Sequence, residues 1–286
     1  MKLVIVSDTH LAERAVEFCA NWELVHRWIR REAPDLVVHL GDISAAGDSH
    51  PDDLKAAADL LSPLTCPLLA LPGNHDVGDN PSPQSVSSGL PQDEQFISER
   101  SVQVYRTLFG EDYWSINIPG WQLIGLNAQL FGSRLAAERI QRQWLLNELA
   151  HGAGRVGVML HKPLYRNGPD DGAVHPRYLP LGERQWLLEQ LGQREIGFIV
   201  SGHTHQTRRH MAREIEHVWA PSTAFYIPDH MQEPIGDKVV GAMILNLAPD
   251  HYAFRLAVPD GLRQNDIINH GHVYPSVANL KRELAQ

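Results

Sequence analysis

Five short clusters of aspartate, asparagine and histidine recur along the chain, each directly after an apolar run. In chain order they are Asp8-Thr9-His10, Gly41-Asp42, Gly73-Asn74-His75-Asp76, His161 and Gly202-His203-Thr204-His205. Their carboxylate, amide and imidazole donors, with no thiolate, suit manganese, iron, zinc or cobalt better than a structural thiolate zinc site. The clusters therefore predict a metal centre built from oxygen and nitrogen ligands.

The number of donors favours two metal ions. The candidate metal ligands are Asp8, His10, Asp42, Asn74, His161, His203 and His205. A single catalytic zinc takes only three or four protein ligands, so two ions account for this set more simply. Two divalent cations outweigh the two carboxylates, which keeps the site positive and favours a phosphate anion. Two ions about 3.5–4 Å apart clamp the attacking and leaving oxygens of an in-line displacement, so the set predicts hydrolysis of a phosphate ester.

The strands before the clusters must position them. Apolar runs predict strands over 3–6, 36–40, 67–71, 155–160 and 196–201, and periodic segments predict helices over 13–31, 51–61, 136–150 and 181–191. This β-α alternation predicts parallel pairing with right-handed crossovers. Because sites in such sheets form outside the carboxyl ends of the strands, we expect all five clusters along the rim of a single open sheet.

The last third of the sequence changes character. Segments 208–211, 216–220, 239–247 and 252–258 read as strands without long helices between them, which predicts a second, more antiparallel sheet packed on the first. Residues 80–93, rich in Pro, Ser, Gln and Gly, predict a long loop placed to overhang the clusters. We interpret residues 1–260 as one domain and residues 261–286 as a polar tail, either a lid or a dimer arm.

Composition limits the classes of partner. The formal net charge is -9, from 34 acidic and 25 basic residues, which argues against a nucleic-acid polymer as partner. No apolar stretch approaches the roughly 20 residues of a membrane span, and no targeting segment is visible. The predictions are a cytoplasmic location, a small phosphate-ester substrate and no membrane contact. A homodimer is left open.

The ordered set D-x-H, GD, GNHD, H and GHxH resembles the calcineurin-like metallophosphoesterase superfamily over residues 1–206. The resemblance implies an α/β fold of two packed mixed β-sheets flanked by helices, a four-layer αββα sandwich. It implies a two-metal centre that supplies a bridging hydroxide for in-line attack. The implied ligands of the first ion are Asp8, His10 and His205, with Asp42 as the bridge. The implied ligands of the second ion are Asn74, His161 and His203.

The same resemblance sets His75 apart as a residue that handles a proton. It implies that His75 lies near the phosphate, stabilises its developing charge and protonates the leaving oxygen as a general acid. Asn74 is implied to contact the phosphate as well, so Asn74 and His75 are the candidate catalytic residues. Asp76 and Asp48 are both candidates for the carboxylate that orients His75.

Residues beside the motifs indicate the branch of the family. Ala45 stands where purple acid phosphatases carry a metal-binding tyrosine, and Leu71-Pro72 stand where protein Ser/Thr phosphatases carry an arginine. The D-x-H opening resembles the bacterial class III cyclic-nucleotide phosphodiesterase branch. We therefore predict a phosphodiesterase for a small phosphodiester such as a cyclic nucleotide. The first alternative is a phosphomonoesterase. The second, from a different functional class, is a non-catalytic binding protein on the same fold.

The remaining histidines are interpreted without a metal role. His39 lies inside an apolar strand, which indicates a core or supporting residue rather than a ligand. His210 and His217 are interpreted as surface or strand residues. His270 and His272 lie in the polar tail with no strand before them, so the sequence predicts no metal role for this pair.

Overall fold

The computed structural model describes residues 1–81 and 96–284, so most of the loop predicted over 80–93 lies outside the described residues. The strands are β1 (Lys2–Val6), β2 (Leu36–His39), β3 (Leu68–Ala70), β4 (Trp114–Ile118), β5 (Trp121–Leu126), β6 (Arg155–Leu160), β7 (Ile196–Ser201), β8 (Arg208–Ala212), β9 (Ile215–Trp219), β10 (Phe225–Tyr226), β11 (Ala242–Leu247), β12 (Tyr252–Ala257) and β13 (Asn265–Asp266). The helices are α1 (Val16–Glu32), α2 (Pro51–Leu61), α3 (Asn74–Val77), α4 (Glu99–Phe109), α5 (Ala136–His151), α6 (Leu181–Leu191) and α7 (Pro275–Leu284).

Two mixed sheets form the centre of the fold. The first has the order β12-β11-β1-β2-β3, with β1, β2 and β3 parallel and β11 and β12 antiparallel at one side. The second has the order β4-β5-β6-β7-β9-β8, with β5, β6, β7 and β9 parallel and β4 and β8 antiparallel at its edges. A parallel pair, β10 and β13, stands apart.

The sheets stack face to face because their strands are apolar on both faces. In β1, Leu3 and Ile5 join a buried cluster shared with Phe198 of β7, between the two sheets. Val4 and Val6 point the other way and join Trp22 of α1 in a second cluster. Each such buried aliphatic side chain contributes about 1.5–3 kcal/mol relative to exposure.

A third buried cluster covers the outer face of the second sheet. There Val156 and Val158 of β6 pack with Leu145 of α5 and Leu187 of α6. Helices therefore lie outside both sheets, and the four-layer αββα sandwich implied by the sequence motifs is confirmed.

The expectation of a single open sheet for the five clusters was wrong. The first three clusters follow β1, β2 and β3 of the first sheet, and the last two follow β6 and β7 of the second. The late strands were also misassigned to a separate sheet, since β8 and β9 join the second sheet while β11 and β12 join the first. Periodicity along a strand reports its buried faces, and it carries no information on which sheet edge accepts the strand.

The tail from residue 261 packs against the rest of the chain. Its strand β13 pairs with β10, and Ile267 and Val273 are buried with Phe18 and Phe225. This packing brings the beginning of α7 beside the strand ends of the first sheet. Among the described helices, none combines the length and the apolar character needed to cross a bilayer.

Candidate metal centre

The carboxyl ends of five parallel strands, from both sheets, meet at one edge of the sandwich. Backbone hydrogen bonds join their loops: Asp8 N–H donates to the Gly41 carbonyl at 2.9 Å, and His10 N–H donates to the Asp42 carbonyl at 3.0 Å. In the second sheet, Gly202 N–H donates to the His161 carbonyl at 2.9 Å. All seven candidate ligands reach this edge, and six of them are buried there.

The loops turn sharply to aim these side chains inward. Five of the candidate ligands have left-handed backbone with φ of 46–66°, a conformation that non-glycine residues seldom adopt. They are Asp8, His10, Asp42, His203 and His205. Such residues persist only where the surrounding structure enforces them, and they concentrate at functional sites. The backbone therefore singles out the same residues as the sequence motifs do.

Glycines make room for these turns. Gly41 has a φ of 111°, and a Cβ at this position would lie 2.7 Å from His161 Nδ1. A Cβ on Gly202 would collide with Ser7 Oγ and stand 2.7 Å from Asp8 Oδ2. The glycines before Asp42 and His203 are therefore required by the close approach of a neighbouring loop.

Asp8, His10 and His205 form the first cluster. His10 Nε2 lies 3.2 Å from His205 Nε2, which in turn lies 3.4 Å from Asp8 Oδ1. One ligand atom of each residue lies within 4.8 Å of the other two. This is the set implied for the first ion.

Asp42, His161 and His203 form the second cluster, with Asn74 beside it. His161 Nε2 lies 3.2 Å from Asp42 Oδ2, 3.1 Å from His203 Nδ1 and 3.3 Å from Asn74 Oδ1. Asp42 Oδ2 is also 3.8 Å from His10 Nε2 in the first cluster. The Asp42 carboxylate therefore stands between the two clusters, where a bridging ligand would be placed.

Hydrogen bonds fix the orientation of three imidazoles. His161 Nδ1 donates to the Leu40 carbonyl at 3.0 Å, and His205 Nδ1 donates to the Phe225 carbonyl at 2.9 Å. His10 Nδ1 lies 2.6 Å from Tyr274 Oη. A carbonyl only accepts, so His161 and His205 keep their proton on Nδ1 and Nε2 is left as the lone-pair donor, which is the usual support of a metal-binding histidine.

The two clusters fit a pair of cations. His205, with its proton held on Nδ1, has an Nε2 lone pair 3.2 Å from His10 Nε2, where the two nitrogens would serve as ligands of a shared cation. Atoms bound about 2.0–2.1 Å from a tetrahedral metal lie roughly 3.3 Å apart. Asp8 Oδ1 is buried and has no hydrogen-bond partner among residues 1–81 and 96–284, which is costly for a carboxylate unless an ion is present.

The protonation states also suit metal binding. Burial, followed by the charge of His75, holds the pKa of His10 well below its usual value. Burial and neighbouring His161 do the same to the pKa of His203. Burial alone would raise the pKa of Asp42, yet His161 and His75 outweigh it and hold that pKa well below normal. Neutral His10 and His203 and an ionised Asp42 bind cations without first losing a proton. At His161 burial alone would lower the pKa, yet Asp42 outweighs burial and raises it, so this imidazole would release a proton when a cation binds.

His75 lies at the border of the two clusters. Its backbone N–H donates to Asp42 Oδ1 at 2.9 Å, and its ring Nδ1 donates to the Ala45 carbonyl at 2.8 Å. One ring nitrogen lies within 4.8 Å of ligand atoms of His10 and Asp42. With Nδ1 donating to a carbonyl, Nε2 is the ring nitrogen through which any proton transfer would pass.

Asp76, a candidate for orienting His75, has a different task. Its carboxylate accepts hydrogen bonds from the backbone of Ile43, Ser44 and Gly73 and from Ser44 Oγ. Burial, and then the charge of Asp42, raises the pKa of Asp76 to about 6. Asp76 therefore ties the second and third loops together, and the backbone carbonyl of Ala45 is what accepts the hydrogen bond from the His75 ring.

Two further residues support the site. His39 is buried, with Nδ1 accepting from Gly41 N–H at 3.1 Å and Nε2 lying 3.0 Å from Thr9 Oγ1, so the supporting role predicted for it is confirmed. Tyr274 was not identified from the sequence. No motif marks it, and it reaches His10 only because the tail folds back on the sandwich.

The fold is an αββα sandwich, and two adjoining clusters of carboxylate and imidazole ligands lie at one of its edges. This combination is suited to binding two metal ions. The family model described as calcineurin-like phosphoesterase matches residues 1–207. The chain therefore belongs to the calcineurin-like phosphoesterase family.

The curated relatives that match the chain include proteins named as phosphatases and one named as a probable phosphodiesterase. It is 28% identical over 185 residues to the serine/threonine-protein phosphatase CPPED1 of Danio rerio, covering 60% of this chain and 54% of that protein. It is 26% identical over 182 residues to a probable cyclic nucleotide phosphodiesterase of Synechococcus sp., covering 62% of this chain and 60% of that protein. The matches thus span just over half of each relative.

Solved structures share the fold. A dimetal phosphatase from Danio rerio superposes with a TM-score of 0.59 at 16% identity, covering 90% of this chain and 96% of that one. GAP50, described as the anchor in the inner membrane complex of Plasmodium, superposes with a TM-score of 0.59 at 13% identity, covering 97% of this chain and 94% of that one. These likenesses describe the architecture of the chain.

Proposed function

We propose that this protein is a two-metal phosphodiesterase that hydrolyses a small phosphodiester, with cyclic nucleotides as the first class to test. The observation that carries the proposal is the position of Asp42 Oδ2 between His10 Nε2, at 3.8 Å, and His161 Nε2, at 3.2 Å. One carboxylate oxygen that faces imidazoles of both clusters supports a pair of cations that share a ligand.

The residues divide the work of binding and positioning. Asp8, His10 and His205 would hold one cation, Asn74, His161 and His203 the other, and Asp42 both. When bound, such a pair supplies positive charge that polarises a phosphoryl oxygen and activates water near neutral pH. The carbonyls of Leu40 and Phe225 keep two of the imidazoles in one tautomer, so the ligand atoms are oriented before any ion arrives.

His75 would serve the leaving group. The Ala45 carbonyl holds the proton on Nδ1, so a protonated ring donates its second proton from Nε2. Departure of an alkoxide requires a proton at the moment the P–O bond breaks, and a histidine with a pKa near the working pH supplies it efficiently. The backbone bond from His75 to Asp42 keeps this ring at a fixed position relative to the proposed metal ligands.

The surroundings of the centre favour a diester over a monoester. A monoester dianion carries one more negative charge, and Ser/Thr-type phosphatases use arginines to hold it. Here Leu71 and Pro72 stand where those phosphatases carry an arginine, and both are buried. Lys162, the residue after His161, is buried in an ion pair with Asp79 and a hydrogen bond to Asn80 Oδ1. Its charge is therefore already compensated.

A substrate panel tests the proposal. Protein loaded with manganese would be assayed on bis(p-nitrophenyl) phosphate, on cyclic nucleotides and on p-nitrophenyl phosphate, with an Asp42→Ala variant as the blank. We expect the highest kcat/KM on a diester. Cleavage of monoesters alone would support the alternative, a phosphomonoesterase, which the similarity to the phosphatase CPPED1 favours. Two bound ions with no turnover on any ester would support a non-catalytic binding protein.

A further inference from the structure

A third cluster of metal-type side chains lies apart from the proposed two-metal centre. It joins Glu17, in the first turn of α1, to His270 and His272 of the tail, and one ligand atom of each lies within 4.8 Å of the other two. The two histidines were predicted to have no metal role, because they lie in a polar tail with no strand before them. Folding of the tail onto α1 supplies the missing carboxylate.

The separations match those of metal ligands. His272 Nε2 lies 3.4 Å from Glu17 Oε2, and His270 Nδ1 lies 3.9 Å from the same oxygen. Donors held about 2.0–2.1 Å from a tetrahedral zinc stand roughly 3.3 Å apart. A small inward movement of the three side chains would therefore complete three corners of a tetrahedron.

An unsatisfied polar atom lies in this cluster. His270 Nδ1 is buried and makes no hydrogen bond within the described part of the chain. Glu17 Oε2 has the His272 ring at 3.4 Å, and the Glu17 side chain is 36% exposed. Buried polar atoms without partners are rare in folded proteins, and an ion is one of the few explanations. A simple pair between Glu17 and His272 would leave His270 Nδ1 unsatisfied, whereas a shared cation would satisfy all three donors.

The remaining geometry also suits an ion. The His270 ring packs against Phe18 with 4.9 Å between ring centroids, which fixes its direction. The His272 side chain is 49% exposed, so a fourth ligand position is open to water. Two imidazoles and one carboxylate with a water is a common zinc set.

We propose that Glu17, His270 and His272 bind a zinc ion that fastens the tail to α1. Tyr274 follows His272 by two residues and contacts His10, so the ion would also fix the segment that supports a ligand of the two-metal centre. This inference does not depend on the reaction catalysed, since it concerns a separate set of donors.

Zinc counting tests the site. Wild type, Glu17→Gln and His272→Asn would be equilibrated at one free zinc concentration, and the zinc bound per chain would be measured by elemental analysis. We expect each variant to hold one zinc fewer than wild type. The matched control is His251→Asn, because His251 forms an exposed pair with Asp250 at 2.8 Å and belongs to no three-residue cluster among the described residues. It should hold as much zinc as wild type.

Equal zinc in wild type and both variants would overturn the proposal. Because His272 is half exposed, its replacement should leave the fold intact, and circular dichroism would verify this. Zinc should also raise the Tm of wild type further than that of His272→Asn, since only wild type has the additional site. An equal rise in both proteins would likewise overturn the site. Failure of the two-metal centre would instead lower the zinc content of all four proteins together.

Discussion

Replacement of His75 by alanine separates proton transfer from metal binding. The backbone N–H of His75, rather than its ring, donates to Asp42 Oδ1 at 2.9 Å, so the variant keeps this contact. What is lost is the imidazole that the Ala45 carbonyl holds at 2.8 Å. A positioned general acid contributes about 10²–10⁴-fold in rate, equivalent to about 3–5 kcal/mol of transition-state stabilisation. We expect His75→Ala to retain its metal and to lose activity within this range.

The leaving group determines the size of the loss. On bis(p-nitrophenyl) phosphate, whose nitrophenolate departs without a proton, kcat/KM should fall by much less than on an alkyl diester, whose alkoxide needs one. His151→Ala is the matched control, because His151 is exposed and its Nδ1 makes the same type of bond, to the Asn147 carbonyl at 2.9 Å. Equal losses on both diesters, or a parallel loss of metal, would refute the assignment of His75 as the acid.

Three further substitutions test the roles of individual buried side chains. Asp42→Asn should weaken binding of both ions, because Oδ2 faces both clusters, and elemental analysis that still finds both ions tightly bound would argue against a bridge. Tyr274→Phe removes the phenol beside His10 and should lower metal affinity or activity about 10–100-fold. A chelator competition that gives wild-type affinity, together with wild-type kcat/KM, would exclude this support. Burial lowers the pKa of His217 to about 3. Below about pH 6.5 the unfolded chain therefore binds a proton that the folded chain does not, and the free energy of unfolding decreases as the pH is lowered, by about 2 kcal/mol at pH 5. Urea unfolding of metal-free protein at pH 7 and pH 5 should show less acid sensitivity in His217→Gln, and identical pH dependence would contradict the calculation.

The local structure was readable from the sequence because it depends on neighbouring residues. The strands Arg155–Leu160 and Ile196–Ser201 and the helices Pro51–Leu61 and Leu181–Leu191 have the predicted bounds. The seven candidate ligands also come together, since each follows a strand whose carboxyl end faces the same edge. Short-range pattern was therefore sufficient for the elements and for the membership of the two clusters.

What the sequence did not reveal depends on contacts between distant segments. The division of the clusters over two sheets follows from long-range pairings such as β1 with β11. The His75 ring donates a hydrogen bond to a backbone carbonyl, and no residue type in the sequence indicates such an acceptor. Tyr274 beside His10, and Glu17 beside His270, meet only because the tail returns to the first helix. Such groups carry no local spacing that a sequence pattern could detect.

Anomalous X-ray diffraction from crystals soaked in manganese would locate the bound ions. We expect two strong peaks, about 3.5–4 Å apart, on either side of Asp42 Oδ2, one beside His10 and His205 and the other beside His161 and His203. A single peak, or two peaks that do not share Asp42, would contradict the two-metal centre.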